Sequence, residues 1–414
     1  MFTIENMDKQ QTNSPLEGSF RRERARDTQR ISDQCRTLLA KISTEAQSQS
    51  RPARLRRLTA AYLNSKAARL WAAQRALDYE ASDRSILRLA ALVNPFFPVR
   101  SGINWWEKRK TSGNGTRYLC DLPPLLKANH YLIKDVLEAQ FRPCNHIYDI
   151  TGKGRDKAAL AVKEAIEAGY EWCFIGDVRD CYQHVAATTL ATQLPLPRLV
   201  VENSLDTNNL VLRRRSHATD TGSLYASLGG GWNGPQGLLQ GSPASSIILA
   251  TLFASMADKI APHDCLLLVI SDNLFIAAKS AAQLDVTISL ICDFLREHPA
   301  GPFNLKNDSR KVPRGNSFEF LGYGFGFAEE GILIEPSHTG WERILGRIEA
   351  ALQSDIDRGD RRTTAIEEEI RNSFSGYNAW VDREQWREDI IENARQTVTH
   401  FGYPENPTYM PDGC

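Results

Sequence analysis

Three short segments hold the residues with the most chemical potential in this chain. Phe174 to Tyr182 begins as an apolar run and carries Asp177; Gly237 to Ser245 is a Gly- and Pro-punctuated turn containing Gln240, Gly241 and Ser242; Leu268 to Ile276 is a second apolar run that encloses Asp272. A carboxylate directly after an apolar strand is costly to bury unless it is paired or holds a cation. Two strand-like runs that each carry one can bring distant aspartates together at the ends of neighbouring strands. The turn between them opens a long apolar helix pattern and offers a nucleotide-sized shelf beside the pair. Such carboxylates can hold two divalent ions about 3.5–4 Å apart, the arrangement that in-line phosphoryl transfer uses. Each aspartate also has a plainer explanation when taken alone. Asp177 would serve as a strand-end turn or helix cap, and Asp272 as part of an ordinary Asp-Asn hairpin turn, which these residue types favour.

The elements that must position these residues follow from periodicity. Trp172 to Val178 reads as a strand, Ser242 to Ile260 as a buried helix and Cys265 to Ala278 as a hairpin around Ser271, Asp272 and Asn273. Helical spacing marks Leu55 to Tyr79, Leu125 to Phe141, Asp156 to Ala168 and Gln283 to Glu297, with a weak amphipathic helix beginning between Ile31 and Ile42. After Gly331 the pattern becomes helical and charged. The loop from Gly229 to Pro235 lacks the Lys-Ser/Thr of a P-loop, so it is not a phosphate cradle.

Composition bounds the class. A chain of 414 residues, 42% of them hydrophobic, is long enough for two or three packed regions. It has no apolar run long enough to span a bilayer, so no membrane is expected as a partner. The polar start, Met1 to Pro15, has no secretory centre. Eight cysteines without a Cys-x-x-Cys pair point to neither a disulfide framework nor a zinc site, and a reducing cytoplasm is the expected location. Formal net charge is zero, but residues 51–117 hold fourteen Lys/Arg against four Asp/Glu, while residues 328–414 hold nine Arg against eighteen Asp/Glu. A basic front half suits a phosphate-binding surface, although solvated helix faces would look alike.

The order and spacing of the three segments resemble the palm of prokaryotic reverse transcriptases, the group with group II intron, retron and abortive-infection or defence-associated enzymes. The match covers residues 90–330, with a thumb continuing towards 395. An aspartate followed five residues later by an aromatic is matched by Asp177 and Tyr182. Gln-Gly near a helix start is matched by Gln240 and Gly241, and the aromatic-x-Asp-Asp hairpin by Ile270 to Asn273. A stretch from Lys108 to Pro123 is similar to the fingers, and Phe318 to Tyr323 to a primer-grip hairpin. The resemblance implies an α+β, right-hand polymerase fold. Its parts would be a polar, partly disordered extension (1–50), basic fingers (51–170), a palm of antiparallel sheet backed by helices (171–330), and a helical thumb with tail (331–414).

It also implies roles. Asp177 and Asp272 would be catalytic metal ligands, joined by the Val178 carbonyl, for two Mg²⁺ ions, with Mn²⁺ as the alternative. Asn273 replaces the family's second aspartate, removing one negative charge beside the ions. Tyr182 would exclude a 2′-hydroxyl and so favour deoxynucleotides. Gln240 and Gly241 would meet the nucleotide or template. Arg117 and Lys110 (or its neighbours Lys108 and Arg109) would grip the triphosphate. Lys311, or its neighbour Arg310, stands where a basic residue assists the leaving pyrophosphate. Arg155 would touch the template backbone, while Phe320, Leu321 and Gly322 would support the primer end; an ordinary buried hairpin would also explain those three.

By elimination the chain is most similar to stand-alone, defence-associated enzymes, since no His-Asn-His nuclease pattern, zinc module or Val-Thr-Gly thumb segment is found. The implied partners are RNA, as a dedicated non-coding template, deoxynucleoside triphosphates, the DNA product, and a partner protein or a second copy. The competing reading is a catalytically impaired palm-fold scaffold that binds RNA within a larger complex.

Overall fold

Aliphatic runs with no polar alternation form the central sheet. The structure, a computed structural model, describes residues 15–48, 51–77, 81–109, 116–142, 144–215, 234–260, 264–328, 331–358 and 364–401. Lys110 and residues 229–233 of the glycine-rich loop lie outside the described residues. The architecture is α+β and its sheets are mainly antiparallel. Two compact units divide the chain. One contains Met1–Pro143, Tyr182–Leu252 and Pro299–Pro302, and the other contains Cys144–Cys181, Phe253–His298 and Phe303–Cys414.

In the second unit, Cys265–Ile270 and Asn273–Ala278 form a hairpin in which Ile270 pairs with Asn273. Asn273–Ala278 also pairs with Trp172–Asp177, which pairs with Arg310–Val312, completing a four-stranded antiparallel sheet. Every residue from Leu274 to Ala278 is buried, so this strand is covered on both faces. Phe275 and Ala277 share a core with Ala158, Val162 and Ile166, a stripe at four-residue spacing on the helix Arg155–Glu167. The helix Ala281–Glu297 starts at Ser280, whose hydroxyl accepts from Gln283 N at 3.2 Å, and buries Leu284, Thr287, Ile291 and Leu295.

A second antiparallel sheet is built from Phe318–Phe320, Tyr323–Ala328 and Gly331–Pro336. The sequence reading placed helix from Gly331 onward. Instead, Ile332, Ile334 and Pro336 are buried in alternation, a two-residue period that makes a strand before the helix His338–Arg358 begins. The helices Thr364–Phe374 and Arg383–Phe401 follow. Their seam is aromatic: Trp380 packs edge-on to Trp341 at 5.2 Å and stacks on Phe374 at 5.6 Å between ring centres.

The first unit joins helices to a three-stranded sheet. In that sheet Ile103–Arg109 pairs antiparallel with Thr116–Asp121 and parallel with Leu212–Arg214. The helical pattern from Leu55 to Tyr79 is two helices, Pro52–Asn64 and Lys66–Ala76. Ser65 is extended between them and caps the second by accepting from Ala68 N at 3.4 Å. The polar N-terminal segment is helical over Pro15–Ser48, with Cys35 and Ile42 buried. Asp135, buried on the helix Pro124–Gln140, accepts from the Tyr62 hydroxyl at 2.6 Å and from both terminal nitrogens of Arg75 at 2.8 and 2.5 Å. A carboxylate can be buried there because the guanidinium meets it bidentately. Among the described residues no helix is long and apolar enough to cross a membrane.

Candidate catalytic centre

Strand pairing in the second unit sets the two aspartates side by side. Asp177 ends its strand opposite Asn273, and Val178 N donates to the Asp272 carbonyl at 2.8 Å. Val178 itself is fully buried. Asp272 occupies the second position of the hairpin turn, after Ser271, which sits in the left-handed region at φ +57. A non-glycine residue there carries backbone strain of order 1 kcal/mol, held by the ladder on either side. The sheet thus brings Asp177, Val178, Asp272 and Asn273 together.

Other groups complete the centre. Lys306 Nζ lies 2.6 Å from Asp177 Oδ2, while Asp177 Oδ1 is buried with no hydrogen-bond partner. The Asp177 backbone is fixed from the same loop, its N donating to Ser309 Oγ at 3.3 Å and its carbonyl accepting from Lys306 N at 2.8 Å. Asn273 Nδ2 donates to Asp272 Oδ1 at 3.2 Å and to the Ile270 carbonyl at 3.4 Å. An aspartate at that position could make neither bond. Behind the turn, Asp149 accepts from Ser271 N; burial pushes its carboxyl up to about 6, the Ser271 bond opposes this and the charge of Asp272 adds to it. Cys181 is also close, its thiol raised well above the ordinary value chiefly by burial, with Asp272 and Asp177 adding.

A divalent ion fits these residues. The donors are hard oxygens, as Mg²⁺ and Mn²⁺ require, and Asp177 Oδ1 is an orphaned buried acceptor that a cation would satisfy. Among the described residues no group of three or more His, Cys, Asp or Glu side chains could hold a metal ion. Side-chain ligation would therefore rest on two carboxylates, Asp177 and Asp272, leaving the remaining positions to backbone oxygen, water or phosphate.

In the first unit the middle motif is pinned at four points. Leu238 N donates to the Tyr182 carbonyl at 2.7 Å, and Cys120 N to the Gln240 carbonyl at 2.8 Å. Ser245 Oγ donates to the Leu239 carbonyl at 2.9 Å, and Ser242 Oγ lies 2.6 Å from His130 Nδ1. Both flanking glycines are required by close approach: a Cβ on Gly237 would lie 2.2 Å from the Tyr182 carbonyl oxygen, and one on Gly241, at φ +114, 2.3 Å from that of Cys120. Arg117 is exposed on the strand Thr116–Asp121, whose Leu119 bridges to Gln240. Tyr182, Gln240, Gly241 and Arg117 therefore belong to one framework of turn and strand.

The remaining sequence candidates have other neighbours. Lys311 sits on the strand beside Phe174, and its ammonium pairs with Asp285 of the helix Ala281–Glu297. The Arg155 guanidinium lies over the rings of Tyr377, at 4.6 Å, and Tyr323, at 5.4 Å, and donates to the Gly376 carbonyl. Phe320 is buried, and Leu321 and Gly322 form the two-residue turn to Tyr323, both with positive φ. A left-handed leucine is a rarer strain than the left-handed serine at Ser271.

Sequence reading did not single out Lys306, Ser309, Asp149 or His130. Lys306 follows Leu305 in a loop without periodicity and is placed only by the bridge from Leu305 to Val178. Asp149 stands in a short segment tied to Val269 by bonds from Tyr148 and to His146. The one local signal was His130, a lone polar ring among buried positions of an apolar helix.

Comparison with protein-family models and with curated proteins finds no match for this chain.

Proposed function

We propose that this protein is an RNA-directed DNA polymerase of the reverse-transcriptase type, with a right-hand arrangement of fingers, palm and thumb. The observation that carries the reading is the carboxylate pair: Asp177 at the end of one strand and Asp272 in the turn that leads into the antiparallel strand beside it, with Asp177 Oδ1 buried and unbonded. Asp177 and Asp272 would hold Mg²⁺ or Mn²⁺, which when bound supplies charge stabilisation to the phosphates and acidifies the attacking 3′-hydroxyl. The protein's own work is positioning. Val178 and Ser309 fix the Asp177 backbone, Asn273 orients Asp272, and Tyr182 selects deoxyribose. Gln240 and Gly241 would meet the nucleotide or template and Arg117 the triphosphate, the last a role that Lys110, outside the described residues, would share by its place in the sequence. The reaction needs no covalent intermediate on the protein. Elimination of the other subgroups extends the reading to a role in anti-phage defence with a dedicated non-coding RNA template, and the cysteine usage extends it to a cytoplasmic setting.

The test is incorporation of labelled deoxynucleotides by protein purified with its accompanying RNA, with Mg²⁺ or Mn²⁺. Polymer is expected from the native protein, and none from Asp177→Asn; sensitivity to prior RNase treatment would identify RNA as the template. Polymer that persists in Asp177→Asn would sink the assignment.

A second reading, an RNA-binding scaffold with an idle palm, is favoured by two observations. Lys306 already neutralises Asp177, and Asn273 lacks the second acidic charge. A scaffold would show thermal stabilisation by RNA but none by deoxynucleotide plus Mg²⁺.

A further inference from the structure

We infer that Lys306 is an internal counter-cation that a divalent ion must displace from Asp177, so that ion entry and Lys306 release are one event. The inference rests on the metal-dependent reading above. Three observations carry it. Lys306 Nζ is 2.6 Å from Asp177 Oδ2, and both side chains are less than a third exposed. The main chain on both sides is tied, Lys306 N to the Asp177 carbonyl at 2.8 Å and Arg179 N to the Asn304 carbonyl at 2.8 Å. The ammonium therefore cannot leave by loop movement, yet its flexible four-carbon stem lets it swing away while the loop stays in place. Finally, the neighbouring carboxylate is itself committed, Asp272 Oδ1 accepting from Asn273 Nδ2 at 3.2 Å.

The resting centre is thus partly neutralised without any ion. Asp177 has a bound cation and Asp272 a bound donor. A divalent ion taken up at Asp177 Oδ1 meets an ammonium already on Oδ2 of the same carboxylate, and two cations on one carboxylate repel each other. Lys306 lowers ion affinity while keeping the ion-free carboxylate from standing unpaired. Asn273 acts in the same direction by withholding an acidic ligand.

The experiment is nucleotide-free Mn²⁺ binding, followed by the electron paramagnetic resonance signal of free Mn²⁺, on the full chain and on Lys306→Met, Lys306→Arg and Asp177→Asn. Lys306→Met is expected to bind Mn²⁺ at least about tenfold tighter, a difference of about 1.4 kcal/mol. Lys306→Arg, which keeps the charge, should bind no tighter than the native protein, and Asp177→Asn should lose the site. In thermal melts without metal Lys306→Met should unfold at lower temperature, and saturating Mn²⁺ should close that gap. Unchanged or weaker binding by Lys306→Met, with the native protein still binding, overturns the inference alone. Absence of Mn²⁺ binding in the native protein and every variant overturns the metal-dependent reading and the inference together.

Discussion

His130 carries a hydrogen bond on each ring nitrogen, and the pair fixes its tautomer. The Ser204 carbonyl, 2.6 Å from Nε2, can only accept, so Nε2 holds the proton and Nδ1 accepts from the Ser242 hydroxyl. That hydroxyl accepts in turn from Ala244 N at 3.1 Å, so protonating Nδ1 would disrupt a filled arrangement. Burial pushes the ring down to about 4, the Ser204 bond opposing it. An unfolded histidine titrates near 6.5. Below that pH the unfolded chain takes up a proton that the folded chain refuses until about 4. The stabilisation is therefore fully present above 6.5 and is lost as pH falls towards 4. Between pH 7 and 5 the loss from this one group is about 2 kcal/mol. Urea unfolding of the native protein and of His130→Gln at both pH values should show it as a difference in pH dependence. Parallel pH profiles would remove His130 from the account.

The segment from Gly237 to Ser245 shows how an element is fixed by what lies against it. The strand Thr116–Asp121 approaches so closely that a side chain on Gly241 meets the Cys120 carbonyl, and the local φ of +114 already disfavours any L side chain. Gly241→Ala should therefore cost more than about 2 kcal/mol, through strain and displaced backbone together. A chemical-denaturation midpoint within error of the native value would show that the turn yields freely. The elements most legible in sequence were those whose own residues impose their form. Aliphatic runs made the strands at Trp172 and Cys265, and Ser271, Asp272 and Asn273 made the hairpin turn. Less legible were features decided by distant chain. The break at Ser65 lies inside an unbroken helical stripe. The strand Gly331–Pro336 is too short for its alternation to stand out before a long charged helix. Lys306 reaches Asp177 only through a pairing between Leu305 and Val178, which no local pattern encodes. The carboxylate pair was readable because each member ends or interrupts an apolar run; the cation beside it was not.

Across the whole molecule a net charge of zero conceals two electrostatic regimes. In the C-terminal helices arginines are neutralised by neighbours, Arg371 by Glu367 at 3.0 Å and Arg387 by Glu384 at 2.5 Å. In the basic segment Arg56, Arg57, Arg84 and Arg88 are exposed and form no salt bridge with a described residue. On the proposed RNA-dependent reading, these guanidiniums are where phosphates would release counterions. Replacing Arg84 and Arg88 together by Glu should weaken binding of single-stranded RNA and flatten the dependence of log affinity on log salt by up to about 1.4, at roughly 0.7 per phosphate contact. Fluorescence anisotropy at several salt concentrations measures both. An unchanged slope would mean that RNA, if bound, lies elsewhere.

The interleaving of the two units bears on how the protein is made. The chain passes from one unit to the other after Pro143, Cys181, Leu252, His298 and Pro302. The sheet begun at Ile103 acquires its third strand only at Leu212–Arg214, and the sheet begun at Trp172 its fourth only at Arg310–Val312. Domains usually fold in the order in which they leave the ribosome. Here that order is blocked, because the early strands wait with open edges for partners not yet translated. A nascent chain stalled before Val312 would expose unpaired strand edges from its second unit, the kind of surface that aggregates. Neither unit is therefore finished early in translation: the first waits for Pro299–Pro302 and the second for the residues from Phe303 onward, all in the last third of the chain.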